Sequence, residues 1–131
     1  MMSRKIGDFT MLRMDTLVEG YDETRLMLVI GDIPFATVGM VFQGRERAGI
    51  RQLFVIEQAR RGGYGRIMVD ECCRIARKEG GCQVLELLVA ECNRQVIPFY
   101  EKLGFSAAPY SDGLNGTIMV KSLDGKEASV S

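Results

Sequence analysis

The chain has 131 residues, 47% hydrophobic and 26% charged, which suits one compact domain with a core and offers nothing that suggests two. Its 17 basic and 17 acidic residues cancel, which argues against broad electrostatic attraction to nucleic acid or to an anionic membrane. No basic leader with an apolar core opens the chain, and the longest apolar run, Leu26 to Ile30, is too short to span a bilayer, so a cytoplasmic protein is expected.

Taken in chain order, Asp8 to Met14, Thr24 to Ile30, Phe35 to Phe42 and Gly49 to Ile56 are β-rich and separated by turn residues, with Gly31-Asp32 placed as a hairpin turn. Residues 64 to 79 change to helical spacing. Tyr64, Met68, Cys72, Ile75 and Ala76 share one face, and Gly80 and Gly81 end the helix. A mostly apolar strand is predicted from Gln83 to Ala90. Asn93 is placed as N-cap of a helix that reaches Leu103, with Pro98 in its first turns and Gly104 as its left-handed stop. Further strands are predicted from Phe105 to Pro109 and from Thr117 to Lys121. One domain therefore covers 1–121, and 122–131 reads as a polar, frayed tail.

The strand, helix, strand unit from Arg51 to Ala90 implies a right-handed crossover between parallel strands. Antiparallel strands lie on either side of it. The expected class is an α/β (α+β) fold with a mixed, mostly antiparallel sheet.

Four cysteines, Cys72, Cys73, Cys82 and Cys92, show neither a C-x-x-C pair nor a secreted disulfide framework, and no histidine is present to help form a zinc site. They read as reduced, buried small hydrophobes, and no metal is expected.

The most informative segment follows the strand at Phe54, Val55 and Ile56. Arg60, Arg61, Gly62, Gly63, Tyr64, Gly65 and Arg66 put glycines where backbone amides can approach an anion at a helix N-terminus. A dinucleotide fingerprint would need a third glycine where Met68 stands, and the lysine and hydroxyl of a P-loop are missing. Arg45, Arg47, Arg51, Arg60, Arg61 and Arg66 crowd the same stretch, which fits a polyanionic ligand. The bland readings are a ligand-free glycine turn and a solvated basic face.

Arg60-x-x-Gly63-x-Gly65 resembles the pyrophosphate-binding motif of the GNAT superfamily of acyl-CoA-dependent N-acyltransferases. The later block Ala90-Glu-Cys-Asn93-Arg-Gln-Val-Ile-Pro-Phe99-Tyr100-Glu-Lys-Leu-Gly104-Phe105 is similar to the second signature of that family, in the family's order and at its separation. The resemblance covers residues 49–106 well and the first 48 loosely. It implies two central parallel strands that splay apart, here 49–56 and 83–90, and a gap that takes the pantetheine arm of acetyl-CoA. It also implies pyrophosphate contacts from Arg60, Arg61, Gly62, Gly63, Tyr64, Gly65 and Arg66, and an oxyanion-stabilising amide around Leu53, Phe54 and Val55. Asn93 is implied near the pantetheine, and Tyr100 at the cofactor as the acid that protonates the leaving thiolate.

The implied activity is acetyl transfer to a primary amine by direct attack in a ternary complex. A catalytically silent acyl-CoA-binding module that regulates a partner is the alternative, and relay through Cys82 or Cys92 a third. Glu46 and Glu57 are candidate bases, each also readable as a surface group; water leading to bulk is the other route for the proton. Tyr100 is equally readable as core packing, and Asn93 as a cap alone. Only Thr16 to Glu23 separates the strands between which the family places one or two helices as a wall of the acceptor pocket. The acceptor site is thus open, completed by a second subunit in a homodimer, or absent, and the acceptor itself is not identified.

Overall fold

The computed structural model describes residues 2–18, 21–44, 46–57, 60, 62–108 and 115–123. Five strands form an antiparallel meander: β1 (Met2–Ile6), β2 (Phe9–Val18), β3 (Tyr21–Ile30), β4 (Ile33–Gln43) and β5 (Arg47–Val55). Helix α1 (Tyr64–Lys78) then crosses to β6 (Val84–Ala90), which runs parallel to β5. A 3-10 segment (Glu91–Val96) leads into α2 (Ile97–Lys102), and β7 (Ser106–Ala107) and β8 (Gly116–Ser122) complete one mixed sheet in the order β1-β2-β3-β4-β5-β6-β8-β7.

Strand alternation decides which residues enter the core. Leu26 and Leu28 on β3, Ala36, Val38 and Met40 on β4, and Leu85 on β6 point to one face and are shielded from water. Helix α1 covers that face with Met68, Val69, Cys72, Ile75 and Ala76. Each large side chain buried there, such as Met68 or Ile75, contributes on the order of 2 kcal/mol from apolar burial. Helix α2 lies beside α1 on the same face: Phe99 meets Gly65, and the Tyr100 ring enters the core next to Cys72.

The opposite face carries no helix among the described residues. Strands β2 and β3 pair through to Val18 and Tyr21, so the link between them is too short for the helices that the resemblance implies. Met14, Met27, Phe54 and Leu88 consequently stay at least a third exposed.

Several predicted boundaries shift. Strand β1 was not anticipated, and Asp8 lies in the turn after it instead of in a strand. Asn93 does not cap a helix: its backbone (φ −123°, ψ 23°) is a kink inside the 3-10 segment, and α2 begins four residues later with Pro98 in its first turn. Proline fits there because that position needs no backbone donor. Gly104 takes the expected left-handed conformation (φ 98°) after α2. Strand β8 includes Ser122, and Leu123 is buried with its N–H donated to the Gln83 carbonyl, two residues into the segment read as tail. Residues 124–131 and Pro109 lie outside the described residues. Cys72, Cys73 and Cys82 are buried free thiols as expected, whereas Cys92 is exposed.

Candidate acyl-CoA site

Strands β5 and β6 pair only from Arg47 to Gly49 and from Val84 to Glu86. Beyond that vertex β5 continues to Val55 and β6 to Ala90 with no pairing between them. The result is a V-shaped cleft walled by two unpaired strand edges, each with free amide and carbonyl groups. Leu53, Phe54 and Val55 lie on the β5 wall near the open end; β4 holds their other edge through Thr37 to Phe54 and Ala36 to Val55.

At the open end the chain turns into α1. Gly63 is the N-cap, in the left-handed region (φ 84°), with no side-chain cap and no acidic residue in the first turn. The first helical hydrogen bond to form is Ile67 N–H to the Gly63 carbonyl, so the amides at the start of α1 have no helical acceptor. A 15-residue helix thus aims bare donors and its positive dipole end at this corner. Gly62 and Gly63 are exposed.

The other residues of the turn divide between structure and binding. Tyr64 packs its ring on Phe9 and Phe35, with centroids 5.1 and 5.6 Å away, and so pins the helix start to β2 and β4. Gly65 lets Phe99 approach. Arg60 folds back: its Nε donates to the Val55 carbonyl at 3.1 Å and its guanidinium lies over the Phe54 ring. Arg66 is 69% exposed, with Asp70 3.8 Å away as a loose i,i+4 partner. Arg61 and Arg45 lie outside the described residues.

The described arginines of this stretch do not gather at one point, as the sequence had implied. Arg47 reaches Glu86 at the vertex, with Nη1 donating at 2.8 Å, and Arg51 lies on β5 near Glu23. Arg66 is left beside the helix N-terminus.

Tyr100 is 8% exposed, its ring set edge-on to Phe99 and Phe105. Among the described residues its hydroxyl has no hydrogen-bond partner, yet no sealed side-chain oxygen is left unsatisfied, so the hydroxyl keeps contact with solvent. Burial, with a smaller contribution from Cys72, raises the phenol above its ordinary value. Asn93 is exposed at the end of β6, and its Oδ1 accepts from Gln95 Nε2 at 3.0 Å. Glu46 is exposed in the turn before β5, where its carbonyl accepts from Gln83 and Val84; Glu57 is exposed just after β5. Burial pushes the Cys82 thiol up, which disfavours the thiolate that a covalent relay would need.

Sequence reasoning missed Gln52. It holds φ 55°, the left-handed region that a non-glycine residue seldom enters, at an irregularity in the pairing of β4 with β5. A separate hollow of about 610 Å³ lies at the far end of α1, lined by Arg13, Asp15 and Glu79 among others. Arg13 pairs with both Asp15 and Glu79 there. No helix among the described residues is long and apolar enough to cross a membrane.

The mixed sheet, the splayed parallel pair and the helix N-terminus facing the cleft define an acyltransferase-like α/β domain. The sequence model of the Acetyltransferase (GNAT) family matches residues 4–105, and the chain belongs to that family. Solved structures agree on the fold. A putative acyl-CoA N-acyltransferase from Klebsiella pneumoniae superposes with TM-score 0.68 at 18% identity, over 78% of this chain and 73% of that one. The PaiA N-acetyltransferase from Thermoplasma acidophilum, solved with coenzyme A, gives TM-score 0.69 at 20% identity over 77% of this chain and 61% of that one. N-acetylglutamate synthase from Neisseria gonorrhoeae, solved with coenzyme A and L-arginine, gives 0.64 at 22% identity over 75% and 24%. No curated protein matches the sequence.

Proposed function

We propose that the protein transfers an acetyl group from acetyl-CoA to a primary amine by direct attack in a ternary complex. The observation that carries the reading is the cleft whose unpaired edges run from the vertex at Gly49 and Glu86 out to the uncapped N-terminus of α1.

The residues present fit the co-substrate. The amides from Gly62 to Gly65 offer donors to a pyrophosphate where the helix dipole favours negative charge, and Arg66 adds a cation at the rim. Tyr64 contributes its backbone amide while its ring holds the helix. Arg60 acts indirectly, by fixing the end of β5 through the Val55 carbonyl. The β5 edge supplies main-chain partners to an extended arm, in the way that a bound peptide extends a sheet.

Acetyl-CoA supplies an activated thioester when bound. A β5 amide between Leu53 and Val55 is the proposed oxyanion donor, preorganised because β4 fixes the strand from its other edge. The Tyr100 hydroxyl, wet at its tip and held protonated by burial, is the proposed proton donor to the departing thiolate. Asn93 stands at the end of β6 as a proposed polar contact for the arm. Glu57 stands at the pyrophosphate end and Glu46 in the exposed turn before β5, so the proton acceptor proposed is solvent water and neither carboxylate.

Calorimetric titration with acetyl-CoA and CoA tests the site, with Arg66→Glu as the variant because among the described residues that side chain makes only the loose contact with Asp70. Wild-type protein should bind both, and the variant should bind at least tenfold more weakly, the cost of about 1.5 kcal/mol or more when a charged contact is lost. Absence of binding by folded wild-type protein would remove the reading.

A further inference from the structure

Beside the vertex of the cleft, on the face without helices, Arg25 and Arg51 flank Gly39 in one row across β3, β4 and β5. Gly39 is what lets them share the space: a Cβ there would stand 3.2 Å from Cζ of Arg25. The Arg25 guanidinium therefore lies over the bare backbone of β4. Two acceptors hold it: Nε donates to Glu23 Oε1 at 3.1 Å, and Nη2 donates to Gln52 Oε1. Glu23 is itself shared, with its other oxygen 3.9 Å from Nη1 of Arg51.

Two guanidiniums around one carboxylate leave one positive charge over. Among the described residues Nη1 of Arg25 has no partner, and the two side chains remain 39% and 55% exposed. The left-handed backbone of Gln52, which costs on the order of 1 kcal/mol, sits where β5 carries one residue more than β4 between their paired positions. From that position its side-chain oxygen accepts from Arg25. A preset guanidinium with open donors is the arrangement that recognises carboxylate or phosphate oxygens.

Position gives the cluster a role. The glycine turn sits at the open end of the cleft, so an arm anchored there and laid along the cleft would point its reactive end toward the vertex. Arg51 is two residues past the last paired position of β5 on that side. We propose, resting on the acetyltransferase reading, that Arg25 and Arg51 bind an anionic group of the acceptor, so that the preferred acceptors are primary amines carrying a carboxylate or phosphate a few bonds from the nitrogen.

The test pairs acceptors that differ in that charge: amino acids against their carboxamides, and phosphoethanolamine against ethanolamine, with spermidine as a cationic member. Release of CoA is followed for wild type, Arg25→Gln/Arg51→Gln and Arg51→Glu, and acetyl-CoA binding is measured by calorimetry for each. A readout independent of turnover is the arginine Nε–H spectrum during titration with inorganic phosphate, with CoA saturating its own site. The expected result is a kcat/KM at least tenfold higher for the anionic member of one pair, the pair identifying carboxylate or phosphate. The double variant should lose that preference, Arg51→Glu should shift it toward spermidine, and acetyl-CoA binding should be retained throughout. The Arg25 resonance should move with phosphate in wild type only. Equal or better use of the neutral partners, a preference that survives in the double variant, or acetyl-CoA binding with no turnover of any member and an unmoved Arg25 resonance would overturn the acceptor assignment while sparing the cofactor site. Failure to bind acetyl-CoA would instead strike the reading on which it rests.

Discussion

Gly65 and Phe99 touch: a Cβ on the glycine would come within 3.0 Å of Cζ of the phenylalanine. One belongs to the glycine turn and the other to the later Phe-Tyr block, so the contact joins the two sequence signatures in space. It also sets how close the start of α1 lies to α2, and hence where the open amides stand relative to Tyr100. Gly65 therefore reads as a packing glycine as much as a ligand-facing one.

Gly65→Ala should accordingly push the Phe99 ring aside, destabilising the fold by about 1 to 2 kcal/mol in chemical denaturation, within the usual overpacking range. Phe99→Leu, which withdraws the ring edge, should recover part of that loss when combined with it. Full additivity of the two changes would show that the residues do not couple.

Much of this architecture was written locally. The meander follows from alternating apolar positions punctuated by turns such as Gly31-Asp32, and the crossover from a glycine turn feeding a helical stretch. What escaped was what depends on distant partners. Strand β1 is exposed at four of its five positions and carries Arg4 and Lys5, so it shows no buried alternation; it exists as an edge because β2 offers a free ladder. Asn93 has the chemistry of a cap, but Pro98 at the first turn of α2 fixes the helix start further on. The arginines looked like one cluster because they are close in sequence. Their destinations were set by sheet register, which puts Arg51 next to Glu23 of another strand and Arg47 next to Glu86.

Glu71 should make stability depend on acid. Its carboxylate is 8% exposed and receives Arg74 at 2.9 Å and Arg4 at 2.7 Å. Burial alone would raise its pKa, but the hydrogen bond and charge of Arg74 together with Arg4 outweigh it, and the net shift is downward. A depressed value means that stabilisation is complete above the unfolded carboxylate range near pH ~4.3 and is lost as pH falls through the folded value. Glu71→Gln should cost about 2 kcal/mol at pH 7, and the gap to wild type should narrow below pH ~4. A pH-independent gap in urea titrations would show that the charge does not matter.

Gly116 sits where β8 starts against the end of β6. A Cβ there would be 2.3 Å from the Val89 carbonyl oxygen and 3.0 Å from the Ala90 Cα, both backbone atoms that cannot rotate away. At Gly80 the nearest obstruction, at 2.4 Å, is instead the Phe42 side chain, which can turn. Gly116→Ala is therefore expected to cost more than Gly80→Ala, about 3 against 1 kcal/mol within the range for overpacking, and to loosen the β6 wall of the cleft. Thermal melts of the two variants give the order; the reverse order would mean that β8 yields more readily than Phe42.

Tyr100→Phe separates packing from chemistry at one atom. The ring is buried between Phe99 and Phe105, and phenylalanine keeps it. The hydroxyl has no hydrogen-bond partner among the described residues and still touches solvent, so its removal should change stability by less than ~0.5 kcal/mol. If that hydroxyl protonates the departing thiolate, kcat should fall by about 10² to 10⁴, the range for a lost general acid, with acetyl-CoA affinity near that of wild type. Burial raises the phenol, so the wild-type donor stays protonated through the ordinary tyrosine range near pH ~10 and its contribution should fade only above it. In the variant that alkaline decline should disappear, leaving a lower rate with no loss of a donor at high pH. Unchanged kcat in a stable Tyr100→Phe protein would return Tyr100 to the core as a packing residue and leave proton delivery to water at the cleft.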